Sequence, residues 1–140
     1  MKVLLAVDGS EDTKKMLAYL AAHEDLLGAN PTFIVLNVQP AVPGHAARVV
    51  GKDAVAEYQR TEADKVLGPV CKFLKQQSVT YTSSHRSGHA ADEILRAAKK
   101  SKVDLIVMGS AGRRGISSLL LGSVTQSVLS GSEVPVMVMR

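Results

Sequence analysis

Five short apolar runs rich in β-branched residues recur along the chain, and the stretches between them carry helical patterning. The runs fall at 3–7, 33–38, 79–83, 105–108 and 134–139. Three are almost uniformly apolar, which fits strands buried on both faces, as in a parallel sheet covered by helices. Between the first two runs, Glu11 to Leu27 reads as a helix with Leu17, Leu20, Ala21 and Leu27 on its apolar side. Ser10 is placed to cap its start and Gly28 to stop it. A second helix is expected from Lys52 to Gln77, with Val55, Tyr58, Val66, Val70, Phe73 and Leu74 as its apolar positions. Gly68-Pro69 interrupts that pattern and predicts a kink or two shorter helices. A third helix covers Ala90 to Lys100, with Ile94, Leu95 and Ala98 facing inward, and a fourth lies between Ser117 and Ser130. Residues 39–45, with Pro40, Pro43 and Gly44, read as a loop.

Strands alternating with helices, joined by right-handed crossovers, make a doubly wound α/β fold with helices on both faces of the sheet. At 140 residues, one domain spanning 1–140 is expected. Apolar residues are 46% and charged residues 21% of the chain. A core of that size needs no disulfide or metal staple. With three Tyr, two Phe and no Trp, the core is aliphatic and a base-stacking platform for single-stranded nucleic acid is not expected. The formal charge is +4. Its basic residues are dispersed, with small clusters at Lys99, Lys100 and Lys102 and at Arg113 and Arg114, too sparse for a nucleic-acid stripe. The one cysteine, Cys71, excludes an internal disulfide and suits a reducing compartment. It falls on the apolar side of the second helix. No run approaches the ~20 apolar residues of a membrane span, and the N-terminal run is too short for a signal peptide. A soluble, cytoplasmic protein with no membrane or nucleic-acid partner is expected.

In an open parallel sheet, ligands sit beyond the carboxyl ends of strands where the strand order reverses. The loop after the fourth run holds Gly109, Gly112, Gly115 and Gly122 within fourteen positions. Glycines let backbone amides approach a ligand, and successive free amides form an anion nest. If a helix begins at Gly122-Ser123, its first amides and its dipole add to that nest, with the Ser123 hydroxyl as a further donor and Arg113 or Arg114 as counter-charges. If the helix instead begins near Ser117, Gly122 becomes a packing glycine in mid-helix. The segment is neither a Walker A motif nor GxGxxG. Asp8, in Asp8-Gly9-Ser10 after the first run, is placed to meet a ribose hydroxyl or a metal, or to cap the helix that follows. Val38 offers backbone groups that can pair with an adenine edge. His23, His45, His85 and His89 show no metal-ligand spacing, His85 and His89 being expected in solvent. No Ser-His-Asp arrangement accompanies Ser123.

The spacing Gly109-x2-Gly112-x9-Gly122-Ser123 is similar to the nucleotide motif of the universal stress protein family. Asp104-Leu105-Ile106-Val107-Met108-Gly109-Ser110, Leu120-Leu121-Gly122-Ser123-Val124, Val134-Pro135-Val136-Met137-Val138 and Asp8-Gly9-Ser10 resemble that family in order and spacing. The resemblance covers essentially the whole chain and is least specific over residues 40–75. It implies a Rossmann-like five-stranded parallel sheet of order 3-2-1-4-5, with an ATP or AMP site between the first and fourth strands. Carried over, it gives Val38 the adenine, through its backbone, and Asp8 the ribose or a phosphate-bound Mg²⁺. Ala6 and Val7 wall the pocket, and Met108 and Gly109 line the ribose side. Gly112, Gly122, Ser123, Val124 and Thr125 wrap the phosphates. Ala111 stands where many members carry His or another polar residue, which removes one side-chain contact. The resemblance further implies that the last strand, from Val134 through Met139, is a sheet edge paired in a homodimer.

Together these point to a nucleotide-binding stress-response protein that senses or signals adenylate state, its ligand acting by population shift. The sequence offers no general base for water, so any ATPase activity should be slow. A phosphoryl or nucleotidyl transferase and a nucleotide-independent dimeric module are the alternatives.

Overall fold

The computed structural model describes residues 1–110 and 120–140. The elements run β1 (Lys2–Ala6), α1 (Glu11–Ala22), a 3₁₀ turn (Glu24–Leu27), β2 (Thr32–Gln39), α2 (Gly44–Val50), α3 (Lys52–Gln76), β3 (Thr80–Ser87), α4 (Ala90–Ser101), β4 (Leu105–Gly109), α5 (Ser123–Gly131) and β5 (Val136–Met139). The five strands form an all-parallel sheet of order β3-β2-β1-β4-β5, the expected 3-2-1-4-5.

The two-residue period of the central strands divides the core into two layers. Val3, Leu5 and Val7 of the first strand region, Phe33 and Val35 of β2 and Val107 of β4 face α1 and α3, where Met16, Leu17, Val66, Val70 and Leu74 meet them. Leu4, Leu36, Ile106 and Met108 face the opposite way, onto Ile94, Ala97 and Ala98 of α4 and Val128 of α5. Register keeps each layer intact, since Val3 pairs with Phe33 and Leu4 with both Ile34 and Ile106.

Several boundaries differ from the sequence reading. The first helix ends at Ala22, because His23 leaves helical geometry (φ −128°, ψ 57°), and only then does the 3₁₀ turn carry Leu27 into the core. Gly68-Pro69 does not split the second helix in two: α3 is continuous through Pro69. Pro69 lies on the exposed side of α3, where the carbonyl it leaves unpaired one turn back can meet water. Val66, Val70 and Leu74 hold the opposite side in the core. Tyr58, expected on the apolar side, is 62% exposed. The stretch expected to be a loop at 39–45 gives way at Gly44 to the short helix α2, none of whose residues is buried.

The strand expected at 79–83 begins one residue later and runs on to Ser87, pairing along its whole length with β2. It is an edge strand with mostly exposed side chains, so backbone pairing rather than apolar patterning defines it. The last strand is shorter than expected. Val134 is bracketed by Ser132, whose Oγ accepts from its amide at 3.2 Å and donates to its carbonyl at 2.7 Å. Pro135 contributes only a carbonyl, accepting from the Ile106 amide at 3.0 Å.

Candidate functional site

The order reverses between β1 and β4, where Ala6 pairs with Met108. Ligand crevices in open α/β sheets lie beyond the carboxyl ends of such strands. Four pieces of chain converge there: the turn after β1, the end of β2, the end of β4 and the start of α5.

The start of α5 is settled. Leu120, Leu121 and Gly122 are not helical, Gly122 has extended geometry (φ −65°, ψ 157°), and the first helical bond runs from the Gln126 amide to the Gly122 carbonyl at 3.0 Å. The reading of Gly122 as a mid-helix packing residue is therefore set aside. The amides of Ser123, Val124 and Thr125 make no hydrogen bond with any described residue, and no side chain caps them. The other three helices longer than α2 each carry acids in their first turn: Glu11 and Asp12 in α1, Asp53 in α3, Asp92 and Glu93 in α4. The first turn of α5 has none. Its positive dipole end is thus left without a carboxylate of its own.

Two hydrogen bonds fix this helix start against the end of β4, and two more tie that end to α1. The Gly122 amide donates to the Ser110 carbonyl at 2.7 Å. The buried Thr125 hydroxyl donates to the Gly109 carbonyl at 2.9 Å. The Ser110 amide and hydroxyl donate to Asp12 Oδ2 at 3.0 and 3.1 Å, which ties the end of β4 to α1. Gly109 is required by that tie, since a Cβ there would lie 2.6 Å from Asp12 Cβ. Asp12, Ser110 and the positioning role of Thr125 were not foreseen from sequence, because a carboxylate and an amide 98 residues apart meet only once the topology is known.

Asp8 holds its own turn together. Its Oδ1 accepts from the Ser10 amide at 2.9 Å and the Thr13 hydroxyl at 3.2 Å, and its amide donates to the Thr13 hydroxyl at 3.3 Å. This is an Asx turn, closed on the amide of Ser10, ahead of the first helical residue Glu11. Asp8 is half-buried at the crevice. The pairing of β1 with β2 ends at Ala6–Leu36, followed by the Val7 amide donating to the Leu36 carbonyl at 2.9 Å. Backbone groups of alternate residues point to the same side of a strand, so the Val38 amide and carbonyl face the space past the end of β1. Asn37 and Gln39, both buried, brace this end. Asn37 Nδ2 donates to the Val7 carbonyl at 2.8 Å, and Gln39 Nε2 donates to Asn37 Oδ1 at 2.7 Å. That pair, too, was missed: Asn37 lay within an apolar run, and Gln39, expected at the start of a loop, is the last residue of β2.

Val7 is buried in the α1–α3 layer and Met108 in the α4–α5 layer, so both present backbone rather than side chain to the crevice. Ala6 is half-buried at the end of β1, Val124 packs against the α4–α5 layer, and the Ser123 side chain is exposed. Ala111 and Gly112, with Gly115, Arg113 and Arg114, lie outside the described residues. Among the described residues no three His, Cys, Asp or Glu side chains are grouped to hold a metal. His85 and His89 are exposed and Cys71 is half-buried.

The sequence model of the Universal stress protein family matches residues 1–140. The chain belongs to the universal stress protein family. A universal stress protein from Thermus aquaticus is 33% identical over 99% of this chain and 97% of its own length. Universal stress protein MJ0531 from Methanocaldococcus jannaschii is 34% identical over 63% of this chain, and the match spans about half, 52%, of that relative. Among solved structures, the protein MJ0577 superposes with a TM-score of 0.78 at 27% identity, covering 99% of this chain and 94% of the other. The universal stress protein from Archaeoglobus fulgidus in complex with dAMP shares the fold (TM-score 0.70, 18% identity, 100% and 98% coverage). So does a family member from Arabidopsis thaliana with AMP bound (0.68, 18%, 99% and 90%).

Proposed function

We propose that this universal stress protein binds an adenine nucleotide, ATP or AMP, in the crevice between β1 and β4 and acts as an adenylate sensor in the stress response. The observation that carries the reading is the start of α5: three amides without partners among the described residues, at a helix end with neither side-chain cap nor acid. Such an end suits a phosphate. The dAMP and AMP complexes of fold relatives support the choice of adenylate. In this reading the Val38 backbone pairs with the adenine edge, and Asp8 meets the ribose or a phosphate-bound Mg²⁺. Ala6, Val7, Met108 and Gly109 line the middle of the crevice. Gly122, Ser123, Val124 and Thr125 surround the phosphates, together with Ala111 and Gly112. Any Mg²⁺ is carried by the polyphosphate. The signal is a shift of population rather than turnover. The apolar edge strand β5 pairs with a second copy, giving a homodimer in the cytoplasm.

Equilibrium binding of labelled ATP and AMP, with and without Mg²⁺, tests the ligand. Saturable binding is expected, and its absence at millimolar nucleotide overturns the reading. Steady turnover on the scale of seconds, lost in Asp8→Ala, would instead favour an enzyme.

A further inference from the structure

Helices α1 and α3 cover the same face of the sheet, yet they are not packed closely on one another as α4 and α5 are. The seam between them is a trough of about 310 Å³, within the range of small-molecule sites. Its walls are almost wholly apolar: Leu17 and Ala18 from α1, and Val66, Pro69, Val70 and Phe73 from α3. Its upper end is different. Ser10 lines it, and the Ser10 Oγ is buried with no hydrogen-bond partner among the described residues. Ser10 is the N-cap of α1 but its side chain caps nothing. A buried hydroxyl without a partner is uncommon and calls for an explanation.

Lys14 from α1 and Lys65 from α3 line the same trough. Their carboxylate neighbours, Glu11 at 2.8 Å and Glu62 at 2.7 Å, are not among its walls. These are exposed pairs one turn apart, which constrain a lysine weakly. Beyond Leu17 and Phe73 lies a second cavity of about 400 Å³, bordered by Glu24 and Asp25, so the far end repels an anion. The polarity of the seam is therefore fixed: hydroxyl and ammonium donors at one end, aliphatic walls in the middle, carboxylates at the other.

We propose that the α1–α3 trough is a second ligand site, independent of the nucleotide crevice, for a small amphiphilic carboxylate with an unbranched aliphatic chain. The head accepts from Ser10 Oγ and the two ammonium groups, and the chain lies along Leu17, Val70 and Phe73. The probe is decanoate, titrated into the full chain below its aggregation concentration and followed by calorimetry and amide chemical shifts. Saturable one-to-one binding is expected, with shifts concentrated at Ser10, Ala18 and Phe73. Ala18→Phe places a ring in the trough from an exposed helix position and should weaken binding more than tenfold. Lys14→Glu with Lys65→Glu, both at exposed positions, should do the same, and Ser10→Ala should weaken it several-fold. Thermal melts confirm that each variant is folded. Absence of saturable binding overturns the proposal. So does affinity unchanged in the folded Ala18→Phe or double-lysine variant, or equal affinity for decylamine. Nucleotide titrations of the same variants keep this question separate, because none of the substituted residues belongs to the proposed nucleotide site.

Discussion

The two faces of the sheet are closed in different ways. On one, α4 brings Ala91, Ala97 and Ala98 to the interface, and these small side chains let it approach both the sheet and α5. On the other, α1 and α3 each bury a stripe against the sheet but leave the seam between them open, with Leu17 and Phe73 dividing two cavities. Both faces shield the same strands from water. Covering a sheet requires each helix to bury one stripe; it does not require neighbouring helices to interlock. Close helix-on-helix packing and open cavity volume thus fall on opposite sides of one sheet.

The largest expected effect lies in the closed layer. Leu4 is fully buried there, and Leu4→Ala should cost roughly 2–5 kcal/mol in denaturant unfolding. A loss below about 1 kcal/mol would show that this layer is not packed as described. Next, Ala98→Leu on α4 should cost about 1–3 kcal/mol by overpacking. Ala18→Leu on α1, pointing to the seam, should stay within about 0.5 kcal/mol. Equal penalties would erase the contrast between the faces. Thr125→Val keeps the shape but removes the donor to the Gly109 carbonyl, and about 1–3 kcal/mol is expected. In Gly122→Val the backbone of this buried residue is already extended, a conformation open to any residue. Stability should change by no more than about 1 kcal/mol, as for other N-cap exchanges. Nucleotide affinity, however, should fall at least tenfold, read by equilibrium binding, because the new side chain fills the phosphate approach.

The fold was legible because its central strands, such as 3–7 and 105–108, are apolar on both faces and alternate with helical patterns, a combination that fits a covered parallel sheet. Less legible was whatever lacks a side-chain signal. β3 is defined by backbone pairing with β2, and its Ser84, His85 and Arg86 look like loop residues. α2 buries nothing and so leaves no periodic trace. For the candidate site, the Gly122-Ser123 helix start was readable as one of two alternatives, and the structure selects it. Its supports were hidden, since Asp12 with Ser110 and Asn37 with Val7 are contacts between distant segments. Side-chain roles were also harder than backbone ones. The resemblance places Met108 on the ribose side without saying which of its groups is offered, and its side chain goes to the core beneath.

The pinning of Gly122 to Ser110 at 2.7 Å has a bearing on how such a chain can diversify. With both stems of the intervening segment locked, extra length inserted between them grows an appendage without dislodging the amides of α5. The entropic toll of closing a longer loop rises only as the logarithm of its size. Insertions between these two residues are thus decoupled from the anchor that holds the start of α5.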